Sequence, residues 1–453
     1  MRIIVFRFLK GKSFAVFFSV LCAFQLFSVA AKAQQGSRKI GLREAIDLAL
    51  SNNLQVRQTV LQSDISAENL KQSKFELVPS LNASSSASRQ FGLFFDQTSG
   101  TVVQEADQLD GNLGTSVPIF QGFSLRNRVL QNKALLKSDI SNVEKVKNDL
   151  LLSVITTYLQ ALANRDLVEA SNQQLALSKE QLSIAQRNFD VGNKTLADLS
   201  QAKAQVANSE LSLTNAQNAY DLSVLELKQL MELNLQEEIE LEVPVIPSLA
   251  KLESGYTASA VYNQAVENYP DVRVAKYNTE AASYALKAAK GDLYPSLSFR
   301  GGIGTRYSSI LSNSFSKQLD ENINKYIGLQ LNIPIFNNYR IRSAANIAKI
   351  RYESAKVAEQ AAKNSLNKVI NQAILDLRAA DKRFYAAQSA LESSKEAFEV
   401  TKKRYDVGLV SAIELNTSQV NFNKAEFDFI QAKYDLLFRS KVVDFYLGNP
   451  INL

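Results

Sequence analysis

The chain has 453 residues, with 51 Lys and Arg against 45 Asp and Glu for a formal charge of +6, one Cys, two Met, and neither His nor Trp. Without an imidazole there is no Ser-His-Asp or Cys-His nucleophile system, no His-ligated zinc and no imidazole proton shuttle. The single Cys22 excludes a disulfide framework or a thiolate metal site within one chain, and a carboxylate enzyme remains possible.

The N-terminus reads as an export leader. Arg2, Arg7, Lys10 and Lys12 precede an apolar run from Phe14 to Ala30 that closes in Ala31-Lys32-Ala33, so residues 1–33 are expected to be a signal peptide cleaved after Ala33. The run is short for a spanning helix and ends in small residues, which argues against an uncleaved anchor. Leu21 is too bulky to precede a lipidated Cys22. The leader holds five positive charges and no negative one, so the mature chain stands at +6 − 5 = +1 and nucleic acid is not an expected partner. The remaining 453 − 33 = 420 residues contain no Cys and no run of ~20 apolar residues, so a membrane crossing has to be made with β-strands.

In the first half a strand pair is expected near residues 80–120. Leu81, Ala83 and Ala87 share one face of its first strand, Leu113, Val117 and Ile119 one face of its second, and serines dominate the opposite face. Gly92 to Gln108 between them reads as a loop. Between Gly122 and Gly192 lie 69 residues without Gly or Pro, which predicts a helix of ~67 residues, about 100 Å long. Val168, Ser171, Leu175, Ser178, Leu182, Ala185 and Phe189 step by 3 and 4, the seam of a coiled coil. After a turn at Val191-Gly192-Asn193 a returning helix of ~40 residues carries a matching seam, Leu199, Ala202, Val206, Ser209, Leu213, Ala216 and Tyr220. Pro244-Val245-Ile246-Pro247 and Gly255 break the pattern, which places a boundary near residue 256.

The second half repeats the first at a constant offset of 216 residues. Leu70, Lys71, Lys74, Leu77, Pro79, Ser80 and Leu81 return as Leu286, Lys287, Lys290, Leu293, Pro295, Ser296 and Leu297, Pro118-Ile119-Phe120 as Pro334-Ile335-Phe336, and Asp190-Val191-Gly192 as Asp406-Val407-Gly408. The expected units are a first structural repeat at 34–255 and a second at 256–453. Leu297, Phe299, Ile303 and Tyr307 form one face of a strand whose other face carries Ser298, Arg300 and Arg306. A second strand from Ile327 to Ile333 sets Ile327, Leu329, Leu331 and Ile333 opposite Gly328, Gln330 and Asn332, and Ser308 to Asn324 reads as the loop between them. From Pro334 to Gly408 another 73 residues lack Gly and Pro, and the two seams return as Phe384, Ala387, Leu391, Ser394, Phe398, Thr401, Tyr405 and as Leu415, Ser418, Phe422, Ala425, Phe429, Ala432, Leu436.

Hairpins of this length form no compact ball. Apolar-out, polar-in alternation is the signature of a membrane barrel wall, yet four strands cannot close one, because an open edge in lipid leaves backbone groups unpaired. Closure requires other subunits. The alternatives are an extended soluble coiled coil and a periplasmic coiled-coil adaptor, and an adaptor would set a compact β-domain around one hairpin. A carboxylate cell-wall hydrolase would need aromatic platforms, and the absence of Trp with an elongated build argues against it.

On the Pro-flanked strand pairs, the Pro-Ile-Phe entry into both long helices and the turn Tyr405-Asp406-Val407-Gly408-Leu409-Val410-Ser411, the mature chain resembles the TolC family of outer-membrane efflux proteins over essentially its whole length. The resemblance implies a mainly α fold with membrane β: a homotrimer in which three chains share a 12-stranded β-barrel, four strands each, above a long coiled-coil α-helical barrel with an internal two-fold repeat. It implies a passive exit duct of the outer membrane, embedded in lipid and extending into the periplasm, for a tripartite efflux or type I secretion system. An inner-membrane pump of RND or ABC type would feed it through a periplasmic adaptor protein, and no catalytic residue, metal or cofactor is implied. The adaptor-docking tips carry over to Val191, Gly192, Asn193 and to Val407, Gly408, Leu409, with Asn193-Lys194 departing from the family pattern. The pore constriction carries over to Glu414 and Asp198, each six residues past a tip glycine, with Thr417 where the family has an Asp, Val410 where it has an Arg, and Tyr405 placed to hydrogen-bond Asp198 across the coil in the closed state. Arg300 and Arg306 would face the barrel lumen.

Overall fold

The computed structural model of the chain describes residues 38–96, 100–243 and 257–448. The expected leader at 1–33 and the break from Pro244 to Gly255 lie outside the described residues. The first half runs β1 (Arg38–Ile40), α1 (Leu42–Asn52), α2 (Leu54–Phe75), β2 (Ser80–Asp96), β3 (Thr101–Gln121), α3 (Ser124–Asp190), α4 (Leu196–Leu230) and β4 (Ile239–Leu241). The second runs α5 (Ala258–Ala265), α6 (Pro270–Gly291), β5 (Ser296–Ser308), α7 (Phe315–Glu321), β6 (Asn324–Asn332), α8 (Arg340–Asp406) and α9 (Ala412–Tyr446). Three helix pairs, α2 with α6, α3 with α8 and α4 with α9, begin and end 216 residues apart.

Helices α3 and α8 are 67 residues each, uninterrupted because no Gly or Pro punctuates them, and span about 100 Å. Helices α4 and α9 return for 35 residues, somewhat less than the expected ~40. All four predicted seams face a partner helix: each of their positions is buried or half-buried. Small side chains let the first hairpin approach closely, and Ser178 and Ser209 share a hydrogen bond of 2.9 Å across it. The second hairpin fills the same seam with aromatic rings, Phe398 stacking on Phe422 at 5.6 Å between centroids.

Two apolar cores sit along the shaft. One gathers Ile40, Ile46, Ile155, Leu162, Leu227 and Met231 from β1, α1, α3 and α4, and the other gathers Val261, Val272, Ile370, Leu377, Leu436 and Val443 from α5, α6, α8 and α9. The parallel pair β1 and β4 is held to the shaft by Tyr158, fully buried on α3, whose hydroxyl donates to the Ile40 carbonyl at 3.0 Å and the Glu242 carbonyl at 2.6 Å. Burial raises the phenol's pKa, so it stays a donor. Tyr158→Phe removes both bonds while the Ile40 carbonyl keeps the Glu242 N–H, an expected loss of about 1 kcal/mol that a thermal melt of the purified protein would read. A melt unchanged within error would show that the small sheet does not depend on this residue.

No helix among the described residues is long and apolar enough to cross a membrane. The four remaining strands form one antiparallel sheet in the order β2-β3-β5-β6. Its register sets Leu81, Leu113, Val117, Phe299, Ile303 and Leu329 on one face, and Ser84, Asn112, Ser116, Arg300, Arg306 and Gln330 on the other. From Leu297 to Tyr307 the apolar band covers ten residue steps, about 33 Å along a strand and about 25 Å once tilted, the height of a bilayer core. β2 and β6 are its open edges.

Three sequence expectations about the strands need correction. The expected loop at Gly92 to Gln108 is mostly ladder, since β2 has 17 residues and β3 has 21. Apolar alternation ends near Ala87 while cross-strand pairing continues, carried by Arg89, which bridges Glu105 and Asp107. Ile119 leaves the outer face because the register shifts between Pro118 and Phe120, and Phe120 takes its place opposite Leu297. The stretch from Ser308 to Asn324 holds α7, which closes the edge of β5 beyond the end of β6. There the Gln318 side chain accepts from the Ser308 N–H at 3.0 Å and the Asn322 amide donates to the Arg306 carbonyl at 2.7 Å.

Both junctions between sheet and long helix carry two successive left-handed residues: Gly122 and Phe123 at φ 56° and 62°, and Asn338 and Tyr339 at 52° and 65°. The repeat thus preserves a costly backbone reversal, which aims each 67-residue helix away from its strand.

Candidate functional site

The end of the shaft opposite the sheet is made by the two helical turns. In the first, α3 stops at Asp190, Gly192 takes φ 79°, its N–H donates to Phe189 and that of Asn193 to Asn188. In the second, Gly408 takes φ 76°, its N–H donates to Tyr405 and that of Leu409 to Arg404. A glycine is needed at each because the returning helix starts only a few residues later and the reversal requires positive φ. Space is not the constraint, since nothing lies within 4 Å of where either Cβ would stand.

Thr195 and Ser411 then cap the returning helices, and the two acidic residues follow at the third helical position. They behave differently. Asp198 closes a capping box: its carboxylate accepts from the Thr195 N–H at 3.0 Å and the Thr195 hydroxyl at 2.8 Å, while its own N–H donates to that hydroxyl. The Thr195 N–H first, then the hydroxyl and the charge of Lys194 hold this carboxyl below the usual carboxylate range. Glu414 receives only the backbone half of the cap, its N–H donating to Ser411, and its carboxylate reaches Arg404 at 3.7 Å. Both members of that ion pair remain about half exposed, so attraction is screened and Glu414 stays available to solvent. Thr417 lies one turn on and bonds its hydroxyl to the Ile413 carbonyl.

Among the described residues no hydrogen bond joins Tyr405 to Asp198. The Asp198 carboxylate is occupied by its own cap, and the Tyr405 ring instead receives the Lys194 ammonium 4.8 Å from its centroid. Burial, then the charges of Asp198 and Asp406, raise the Tyr405 pKa. Lys194, one of the two residues that depart from the family pattern, is thereby the link between the hairpins at this end. Higher on the shaft the two hairpins are joined again by Tyr434 and Lys433 of α9, which both reach Asp166 of α3. Val410, at the position of the family's Arg, is buried.

Both tips are open to solvent, and the second is the more apolar. Val407, Leu409 and Ile413 are 69, 70 and 71% exposed on the second, whereas the first offers Val191 and Leu196 beside Asn193 and Lys194. Ile413 and Leu196 escaped the sequence reading, which stopped at the residues flanking glycine. Their signal is an apolar residue in the first turn after a Ser or Thr cap that lies off the coiled-coil seam. At the far end, Arg306 pairs with Asp110 on the polar face of the sheet, and Arg300 stands exposed opposite Ser116 and Gly328.

Residues 45–232 and 261–449 match the sequence model of the family described as outer membrane efflux protein, once in each half. The outer membrane efflux protein BepC of Brucella suis is 23% identical over 379 residues, 83% of this chain and 78% of that protein. The outer membrane protein TolC of Vibrio cholerae is 24% identical over 379 residues, 83% of each. Among solved structures, the Campylobacter jejuni CmeC outer membrane channel superposes with a TM-score of 0.78 at 22% identity, covering 90% of this chain and 85% of that one.

Proposed function

The chain belongs to the outer membrane efflux protein family, and from that premise we infer that three copies close their four-stranded sheets into one 12-stranded barrel above a shared helical tube. It is an outer-membrane channel that extends into the periplasm, an exit duct for efflux or secretion, and the adaptor alternative is set aside. Members of the family are channels rather than enzymes. The observation that carries the trimeric reading is the sheet itself: an apolar face of bilayer height, two open edges, and a mount on helices about 100 Å long.

In this reading a leader at 1–33 is removed, and the repeats 34–255 and 256–453 each supply one hairpin of the tube. The tips Val191, Gly192, Asn193 and Val407, Gly408, Leu409 dock a periplasmic adaptor, through which an inner-membrane pump delivers cargo. Glu414 and Asp198, with Thr417 and Tyr405 beside them, ring the entrance with carboxylates that favour cations. Arg404 tempers that ring by pairing with Glu414. Arg300 and Arg306 face the lumen of the barrel.

Cell fractionation followed by light scattering of the detergent-extracted protein tests the assembly. An outer-membrane trimer is expected, and a soluble periplasmic monomer would sink the barrel. In planar bilayers Glu414→Ala is expected to lower cation-over-anion permeability about twofold or more, and Arg404→Ala to raise it. A change in the same direction for both variants would remove Glu414 from the pore.

A further inference from the structure

Aromatic side chains bracket the apolar face of the sheet. At the end near the helices Phe120 and Phe123 meet edge to face at 5.5 Å, and Tyr294 and Phe336 stand exposed at the same end. At the outer end Tyr307 meets Phe315 of α7 at 5.0 Å. Such belts mark the two headgroup levels of a membrane barrel. Between them, among the described residues, one outward position carries a charge: the exposed Lys325 of β6, opposite Ile303. Ile303 lies four residue steps before Tyr307, about 13 Å along the strand and about 9 Å in height once tilted, a depth from which a lysine snorkels to the headgroups.

A cation on a lipid-facing wall is costly unless an anion meets it. Among the described residues Lys325 forms no ion pair. The outward positions of β5 hold no carboxylate, nor do those of β2 from Leu81 to Arg89, the edge that a neighbouring copy would set beside β6. Glu105 and Asp107 of β3 are both engaged by Arg89. Neither strand flanking β6 thus supplies a counter-ion.

Two steps nearer the helices the face is hollowed. A groove of about 520 Å³ runs over Gly301, walled by Leu113, Phe299, Ile303 and Ile327, and reaches Lys325. A Cβ at Gly301 would meet the Thr115 and Ile327 methyl carbons at 3.5 and 3.6 Å and the Tyr326 carbonyl at 3.6 Å, all ordinary contacts, so crowding does not call for glycine there. Its effect is to leave out one side chain from an otherwise filled wall. An apolar furrow that ends at an unpaired cation is complementary to an acyl chain beneath an anionic headgroup.

We propose that Lys325 and the groove over Gly301 bind one phosphate-bearing lipid of the outer leaflet on each subunit, its phosphate on the ammonium and an acyl chain in the groove. This rests on the trimeric reading, in which the apolar face meets lipid and β6 adjoins the next copy. The lipid then sits beside the junction of two subunits and serves as an outer clasp between them.

Native mass spectrometry of the detergent-extracted trimer, titrated with lipid A carrying two phosphates or none, tests the site. The native trimer is expected to take up the phosphorylated lipid, one per subunit, about tenfold more tightly than the phosphate-free one. Lys325→Gln is expected to remove that preference, Lys325→Arg to keep it, and Lys317→Gln, on a lysine already paired with Glu321, to leave it unchanged. Gly301→Leu, which fills the groove, is expected to weaken both lipids about fivefold while the preference for phosphate survives. Equal uptake of the two lipids by the native trimer, or an undiminished preference in Lys325→Gln, would overturn the site with the trimer intact. Extraction of the native protein as a monomer would instead count against the assembly on which the site rests.

Discussion

Gly122→Val is expected to reduce the assembled outer-membrane trimer at least about tenfold, measured as the band that resists dissociation in detergent before heating. Gly122 takes φ 56°, and a Cβ there would stand 2.1 Å from the Gly291 carbonyl oxygen and 2.9 Å from its carbon. Gly291 returns the constraint, its own Cβ falling 2.6 Å from the Gly122 oxygen. Backbone meets backbone, so no flexible side chain can give way. The left-handed conformation and the overlap together cost roughly 3–5 kcal/mol, a large part of a typical stability. The counterparts at the same offset, Asn338 and Phe75, show that the other junction is not packed this way. Asn338→Gly is accordingly expected to leave assembly intact, and wild-type trimer levels in Gly122→Val would contradict the whole account of this junction.

Leu409→Asp is expected to leave the trimer at its normal level and abolish export. The second tip presents Val407, Leu409 and Ile413 to solvent around a turn whose geometry is already satisfied by its own backbone hydrogen bonds. In the proposed docking these exposed apolar side chains are the anchors, and losing one of them costs about 2 kcal/mol or more of binding, roughly thirtyfold in affinity. Growth of a strain lacking its own duct, challenged with a toxic solute, reads export. Capture of the adaptor on immobilised trimer reads docking. Val191→Asp at the first tip, already polar at Asn193 and Lys194, is expected to do less. Gly408→Ala separates turn from contact: its Cβ meets nothing within 4 Å, so only about 1 kcal/mol of backbone strain follows. Were Gly408→Ala as damaging as Leu409→Asp, turn geometry rather than apolar contact would govern the tip.

Much of this was legible in the residues. The four long helices were legible because helix ends are written locally, in caps, glycines and the absence of proline. The four seams were legible because packing of two long helices imposes a 3 and 4 spacing on both. Strand ends were not. Glu105 and Asp107 read as loop residues, yet with Arg89 they sustain a ladder whose length is set by a partner strand that no local pattern announces. Asp198 and Glu414 show a different limit. An acid three residues after a Thr or Ser serves equally as helix cap or as pore charge, and only geometry separates Asp198, folded onto Thr195, from Glu414, turned to Arg404. Lys194, which the sequence marks as an exception, earns its meaning from Tyr405 on the other hairpin.

The paired hairpins also set a symmetry. Within one chain the two turns share backbone form, with φ 79° at Gly192 and 76° at Gly408, but not side chains. Three chains around an axis therefore present six turns of nearly the same shape, alternating between a polar and an apolar character. A partner that reads shape meets a sixfold rim, whereas one that reads chemistry meets a threefold rim. Subunits of a single kind docking all the way round such a rim must settle into two alternating environments, so that identical partners become inequivalent by position alone.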